Sequence, residues 1–409
     1  MKILYISYDG MTDHLGQSQV IPYLLGLASK EIEITLISCE KKSKFNSFAT
    51  NIEQILKSGK INWIPVKYSS LPSVLSKKLN LTRIKKKAID FCKNNKPDIV
   101  HCRSYMASLI GLELKKKFKV KFIFDMRGFW ADERIDGKIW DKTNWIHRKI
   151  YTYFKKKEIE FLTQADYTIS LTENAKNEIH SWPIFKNNLP PIEVIPCCVD
   201  MELFSIKNIS VEKQNELRKR FNIQNDFIIS YLGSIGTWYM LDEMLDFFKC
   251  LLSEKPNAKF LFITSEDPST IISSGEKKQI NKDRFIILSA KRQEVPLYLS
   301  LSDVSIYFIK PLYSKKASSP TKTGEIMALG IPIITNTGIG DSDKILTDSG
   351  AGFLINEFTE KEYLNAISNL DELTQKDKMK IRTSAEKFFS LEKGIELYYS
   401  VYKKVISKK

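Results

Sequence analysis

KILYISYDGMTDHLGQSQVIPYLLGLASKEIEITLIS, residues 2–38, is the stretch from which the fold can be read. Residues 2–8 form a short, nearly continuous apolar run closed by Asp9, as expected for a strand covered on both faces. A polar loop with Gly10 and Gly16 follows over residues 9–16. Val20, Leu24, Leu27 and Ala28 then recur at helical spacing, and EITLIS at 33–38 is a second strand. Strand, glycine loop, helix, strand is one βαβ unit of the Rossmann type, so the two strands pair in parallel.

The same pattern continues outward. Short apolar runs at 98–102, 121–126, 166–171 and 193–199 alternate with helical stretches. A second series restarts with FIISYLGSIG at 227–236, a strand running into a glycine turn. It continues through a helix at 240–252, strands at 259–264 and 284–289, a short helix at 295–301, and strands at 304–310 and 331–336. The last stretch, 388–405, reads as one helix carrying Phe388, Phe389, Leu391, Ile395, Tyr398, Tyr399 and Tyr402. Two α/β domains are expected: residues 1–200, with a returning helix over about 388–409, and residues 201–387.

The chain has 409 residues and a formal net charge of +15. The excess is uneven: 33 basic and 21 acidic residues before position 201 give +12, and 30 against 27 afterwards give +3. The first half is therefore the one to meet an anion or an anionic surface, unless the lysines only solvate it. Six cysteines without a C-x-x-C pair, and only four histidines, offer no zinc framework and fit a reducing compartment. No run reaches transmembrane length, and the N-terminal apolar run is too short for a signal peptide, so a cytoplasmic protein is expected. The basic residues are not interleaved with stacking aromatics, and no nucleic-acid-binding module is present, so nucleic acid is not an expected partner.

The segment most suggestive of chemistry is SSPTKTGEIMALG, residues 318–330. A Ser/Thr/Gly loop entering a helix presents free N–H groups at the positive end of the helix dipole, which suits a phosphate. Lys322 adds a charge, Ser319, Thr321 and Thr323 add hydroxyls, and Glu325 stands one turn in, able to accept from ribose hydroxyls. The same spacing also fits a capped helix with an inward-facing Glu. Asp125-Met126-Arg127-Gly128, at the end of a strand, is the second cluster, in the place where open α/β sheets bind ligands. It reads either as a phosphate- or carboxylate-gripping Arg with its Asp, or as a structural ion-pair network with Asp132, Glu133 and Arg134. His101 and Arg103 end another strand, and each reads either as a donor-pocket residue or as a satisfied strand-end side chain.

Pro-Thr-Lys-x-Gly-Glu-x-x-Ala-x-Gly-x-Pro-x-Ile, beginning at Pro320, resembles the signature of family 4 glycosyltransferases of the GT-B fold. The first loop (8–20), the 125–134 segment, Ile195-Pro196-Cys197-Cys198-Val199-Asp200 and Leu232-Gly233-Ser234-Ile235-Gly236 resemble that family in order and spacing. The resemblance implies two Rossmann-like parallel-sheet domains facing across a cleft, with the C-terminal helix packing back on the first. It implies a retaining, metal-independent transferase without a cofactor. The donor would be a nucleotide-diphosphate sugar bound mostly by the second domain, and the acceptor a saccharide or a lipid-diphosphate-linked saccharide, in surface-polysaccharide synthesis. By position, Glu325 would hold the donor ribose, Gly16 would approach the diphosphate or the transferring sugar, and backbone near Ala290 and Lys291 would read the base. Gly233 and Ser234 would line the donor loop.

The chain departs from the family pattern in two places. Ala317 stands where the first Glu of Glu-x7-Glu falls, and that Glu usually contacts the donor sugar. Ser234 replaces a common Arg, and residues 238–241 contain no Lys. A leaving diphosphate still needs its charge met, because an unpaired buried charge is very costly. Lys322 and then Arg127 are the candidates, and with Glu325 and Asp125 they form the expected catalytic set. Asp341-Ser342-Asp343 matches a metal-binding Asp-x-Asp only by composition, so no metal site is expected. Lys77, Lys78, Arg83 and Lys85–87 overlap Val74, Leu75, Leu81, Ile84, Ala88 and Phe91 at helical spacing. That is either a core helix with a solvated Lys face or one that touches an anionic membrane at the inner face of the cell membrane. A GT-B sugar-nucleotide epimerase or hydrolase is the alternative function, and a basic nucleic-acid-binding protein the alternative from another class.

Overall fold

A computed structural model describes residues 1–69 and 76–407 in full, and the backbone of 73–75. The side chains of Val74 and Leu75 in the basic helix lie outside what is described. The chain forms two compact units: Met1–Pro196 with Leu391–Lys409, and Cys197–Ser390.

The first unit is built on a seven-stranded sheet of order β3-β2-β1-β4-β5-β6-β7. Its strands are β1 (Lys2–Ser7), β2 (Glu33–Glu40), β3 (Asn62–Lys67), β4 (Ile99–Arg103), β5 (Lys121–Asp125), β6 (Tyr167–Ser170) and β7 (Ile192–Val194). The second unit carries β8 (Ile228–Leu232), β9 (Lys259–Ile263), β10 (Phe285–Leu288), β11 (Val304–Tyr307), β12 (Ile333–Asn336) and β13 (Gly352–Ile355), in the order β10-β9-β8-β11-β12-β13. Among the described residues every pairing between these strands is parallel.

Both strand orders reverse direction once, between β1 and β4 in the first unit and between β8 and β11 in the second. Loops leaving the carboxyl ends of strands diverge there and open a crevice, the usual ligand position in an open α/β sheet. Register aligns the first crevice: Ser7 pairs with Arg103, and Arg103 with Asp125, so three strand ends form one row.

Two strands were not visible in the sequence. NWIPVK has Pro65 inside it, which suits only an edge position, and β3 is indeed the edge of its sheet. GFLI is a four-residue edge strand. The strand expected at 193–199 is also shorter, Ile192–Val194. The single helix expected over 388–405 is two helices, Lys378–Phe389 and Leu391–Ser407, separated at Ser390. The carbonyl of Phe389 accepts from the Val199 N–H at 2.7 Å, and Val199 and Ser390 form an isolated bridge, which tethers the chain where the helix stops. Phe388 and Phe389 therefore belong to the second unit, and the helix from Leu391 to the first.

That last helix packs on the helix Ile21–Ala28 through Gly26, where a Cβ would come within 2.1 Å of Ile395. The contact brings Tyr398 and Tyr402 to the carboxyl ends of β4 and β5.

Candidate active site

In the first unit, the loop after β1 is held by a buried carboxylate. Glu40 accepts from the Met11 and Thr12 N–H groups at 2.7 and 3.2 Å, from the Thr12 hydroxyl at 2.6 Å and from Ser38 at 2.5 Å. Gly16 packs against this same loop. A Cβ there would lie 2.4 Å from the Gly10 carbonyl oxygen and 2.5 Å from the Met11 Cα. The close approach that Gly16 permits is thus to its own chain, an account the sequence alone did not suggest.

Asp125 is buried at the end of β5 with polar groups on several sides. Arg127 Nη1 lies 3.8 Å from one carboxylate oxygen; His101 Nε2 and the Tyr398 hydroxyl approach the other at 3.5 and 3.3 Å. Burial alone would raise the Asp125 carboxyl, but Arg127, His101 and Arg103 outweigh it and hold Asp125 below the usual carboxylate range. His101 goes the other way: burial lowers its pKa, only partly offset by Asp125, so the ring is neutral near pH 7. Its Nδ1 shares a 2.7 Å hydrogen bond with Tyr402, and its ring centroid lies 4.5 Å from that of Tyr5. Arg103 donates to Asp9 at 2.7 Å, joining the β1 and β4 loops across the reversal point. Arg127 itself has a left-handed backbone, φ 59, followed by Gly128 at φ 130. A non-glycine residue held there is strained, as functional loops often are.

The expected network of Asp125, Arg127, Asp132, Glu133 and Arg134 is divided. Asp132 instead accepts from Lys155 at 2.9 Å and from Tyr151 at 2.8 Å, and Lys155 also bonds the buried Glu158, which accepts from Tyr105. Arg134 stacks over Trp130 at 4.9 Å. The Asp125–Arg127 pair thus stays buried at the row of strand ends, while Asp132 is tied to the helix Trp145–Gln164.

In the second unit, the helix Thr321–Ala328 begins beside the β8–β11 reversal point, and its Lys322 turns inward. Lys322 Nζ lies over the rings of Tyr239 and Tyr231, at 3.7 and 4.2 Å, with Tyr307 at 5.6 Å. It makes no hydrogen bond among the described residues. Burial pushes its ammonium well below the usual lysine range, and Glu325 only partly restores it. Three phenol faces stabilise a cation by about 0.5–2 kcal/mol each, less than the desolvation they replace. The sequence anticipates a full charge at Lys322, and burial among the three tyrosines works against that charge.

Gly233 lies directly above it. A Cβ there would be 3.2 Å from Lys322 Nζ, and φ is +116. Gly236 at φ +113 and Thr237 at φ 46 carry the loop back over the strand ends. Ser234 is exposed on this loop, its carbonyl accepting from Tyr231 at 2.6 Å. Gly233 N–H donates to Ile263 at 2.9 Å, so what the glycine offers is room rather than its donor.

The other expected residues fall into two groups. Glu325 accepts from Arg292 at 2.9 Å; that Arg, missed in the sequence, also lies over Phe204 at 5.4 Å. Thr321 is partly exposed at the helix start, and the Ser319 hydroxyl accepts from Cys197 N–H at 3.2 Å. Thr323 is different: it is buried, and its hydroxyl pairs with Tyr307 at 2.6 Å, so this side chain serves packing beneath Lys322 and not a ligand. Likewise the Lys291 N–H donates to Glu294 at 2.7 Å, which leaves Ala290, partly exposed, as the better placed of the two for a base. Asp343 caps the Gly338 N–H at 2.9 Å, giving the Asp-x-Asp pattern a loop-closing role. Among the described residues no group of three or more His, Cys, Asp or Glu is arranged to hold a metal.

The profile "Glycosyltransferase Family 4" matches residues 22–203, and "Glycosyl transferases group 1" matches residues 213–388. The chain belongs to the family 4, group 1 glycosyltransferases. The transferase is structurally similar to a glycosyltransferase from Rickettsia africae (16% identity, TM-score 0.71, 100% and 99% of the two chains). It is also similar to sucrose-phosphate synthase from Thermosynechococcus elongatus (14%, 0.73, 100% of each). A third is the Anabaena protein HepE in complex with UDP and glucose (13%, 0.68, 98% and 99%). At these identities the likeness establishes the GT-B fold. Compared by sequence with curated proteins, the transferase matches none.

Proposed function

We propose that the second unit binds a nucleotide-diphosphate sugar in the β8–β11 crevice, with Lys322 meeting the diphosphate. The observation that carries this is Lys322 itself: a buried ammonium without a hydrogen bond, caged by three tyrosines under a glycine loop. An anionic ligand at that loop restores the charge that burial suppresses, and a charge-assisted bond in a low-dielectric site is strong. The Anabaena neighbour in complex with UDP makes UDP-sugars the first donors to test. In this reading Thr321 and the helix N-terminus contact phosphate, and Glu325, aligned by Arg292, takes the ribose hydroxyls.

The sugar passes to a saccharide or lipid-diphosphate-linked acceptor bound by the first unit, with retention of configuration and without a metal. Front-face transfer lets the leaving phosphate oxygen receive the acceptor proton, so no side chain must act as a strong base. The neutral, tyrosine-bound His101 and the Arg-held Asp125 suit that division: Asp125 and Arg127 orient the acceptor. The basic first half supports a role at the inner face of an anionic membrane, in surface-polysaccharide synthesis.

The test is a donor panel with nucleoside diphosphate release measured with and without acceptor. Acceptor-dependent release, undiminished by EDTA, supports the reading. An epimerised sugar nucleotide, or equal release without acceptor, points to the epimerase or hydrolase instead. Thermal stabilisation by single-stranded DNA and not by UDP or GDP refutes both.

A further inference from the structure

The first unit contains a cavity of about 510 Å³ that neither the donor nor the acceptor groups use. It opens to the surface, bordered by the helices Ser73–Asn95, Ser104–Phe118 and Trp145–Gln164 together with Trp130 and Trp140. Its wall is apolar, formed by Leu81, Leu109, Ile110, Trp130, Trp140 and Phe154. Lysines stand around it: Lys77, Lys78, Lys85 and Lys149 all contribute, with Glu113 pairing Lys85 at 2.5 Å.

The surroundings carry the same two chemistries. Helix Ser73–Asn95 holds seven Lys or Arg against one Asp, and residues 138–157 hold seven against one. Ile139, Trp145 and Ile146 are 46, 59 and 46% exposed, and Lys149 covers the Trp145 ring at 4.7 Å. Exposed Trp and Ile among lysines match a bilayer interface, where aromatic rings lie at headgroup depth beside basic side chains.

We infer that this cavity receives one acyl chain of an anionic bilayer lipid, its headgroup held by the lysines at the rim. The inference rests on the membrane contact proposed above and makes it more specific: the transferase does not only touch the headgroups electrostatically but takes a chain out of the leaflet. The cavity volume lies within the usual range for small-molecule pockets.

The experiment uses the full chain with phosphatidylglycerol–phosphatidylcholine vesicles whose acyl chains carry bromine, a short-range quencher of tryptophan. A Trp145→Phe variant, with Trp63, Trp182 and Trp238 also replaced by Phe, removes the other indoles and leaves Trp130 and Trp140 as reporters in the wall. Quenching should persist in that variant and be lost when Leu109→Phe and Ile110→Phe fill the cavity, while vesicle co-sedimentation continues. Met106 also lines the wall, and Met106→Gln, which makes the wall polar without filling it, gives the same loss if the filled variant does not fold. Lys78→Gln with Lys149→Gln should weaken vesicle binding about 30-fold, at roughly one decade and a half for two interfacial charges. Binding without quenching in the variant that keeps only Trp130 and Trp140 would overturn the cavity and leave the membrane contact standing. No binding to vesicles at low salt would overturn both. A concentration-dependent dimer that protects Trp130 and Trp140 would assign the slot to a second copy and also overturn the inference.

Discussion

Lys322→Met isolates the central electrostatic element. Methionine nearly matches the aliphatic length of lysine and leaves the tyrosine cage filled, so what is lost is the ammonium. Removing one partner of a buried, hydrogen-bonded ion pair costs about 3–5 kcal/mol. Here the lower end applies, because the free enzyme suppresses the Lys322 charge and part of the interaction with diphosphate offsets its protonation. About 3 kcal/mol corresponds to a loss of roughly 150-fold in kcat/KM. Stability should move the other way. The folded pKa lies below the unfolded one, so between those two values the unfolded chain holds a proton that the folded chain lacks, and stability rises with pH. At neutral pH that burial penalty is present, and Lys322→Met removes it: the melting temperature should rise, and its increase with alkaline pH should flatten. The assay is steady-state release of nucleoside diphosphate beside thermal unfolding at pH 7 and 9. Turnover within a few-fold of wild type would refute the diphosphate role, and a lower melting temperature would refute the burial account.

Further outcomes follow from the same geometry. Donor binding should take up a proton, so UDP affinity should fall as pH rises above the free-state pKa of Lys322; calorimetry in two buffers of different ionisation enthalpy should show uptake in wild type and none in Lys322→Met. Glu325→Gln should raise the donor KM about tenfold by weakening ribose contact and releasing Arg292, whereas Thr323→Val should change KM little and lower stability by about 1–2 kcal/mol through the lost Tyr307 hydrogen bond. Gly16→Ala should destabilise the first unit by about 1–3 kcal/mol in thermal unfolding, because its Cβ would meet backbone atoms that cannot swing away. Asp125→Asn should lower kcat by about tenfold or more with donor KM unchanged, since it touches the acceptor side and leaves the β8–β11 loop intact.

The architecture was legible because apolar runs alternate with helical spacing at a period that only parallel α/β units satisfy. What escaped was short or at an edge: Pro65 masks β3, and GFLI is too brief to carry a period. Ser390 broke an apparently continuous helix because the tether from Val199 to Phe389 is a long-range contact, invisible to local periodicity. At the site, the sequence located the Lys322 segment but not its surroundings. Tyr307 lies far along the chain from Tyr231 and Tyr239 and meets them because β8 and β11 are neighbours. The missing Lys after Gly233 hinted at a substitute cation, and the glycine that leaves room for Lys322 is the feature that joins the two. Arg292 gave less warning: only its place after Lys291, in a loop already under suspicion, could have pointed to it. Thr323 shows the limit in the opposite sense, because a hydroxyl in a phosphate-like motif looks the same whether it points to a ligand or to a tyrosine in the core.

A structure of the transferase with UDP tests the central claim most directly. The account predicts a phosphate oxygen within about 3 Å of Lys322 Nζ, a charge-assisted hydrogen bond, with the nucleotide along the loop that begins at Gly233. UDP bound elsewhere, or bound in that crevice with Lys322 still confined among Tyr231, Tyr239 and Tyr307 and out of contact with phosphate, would contradict it.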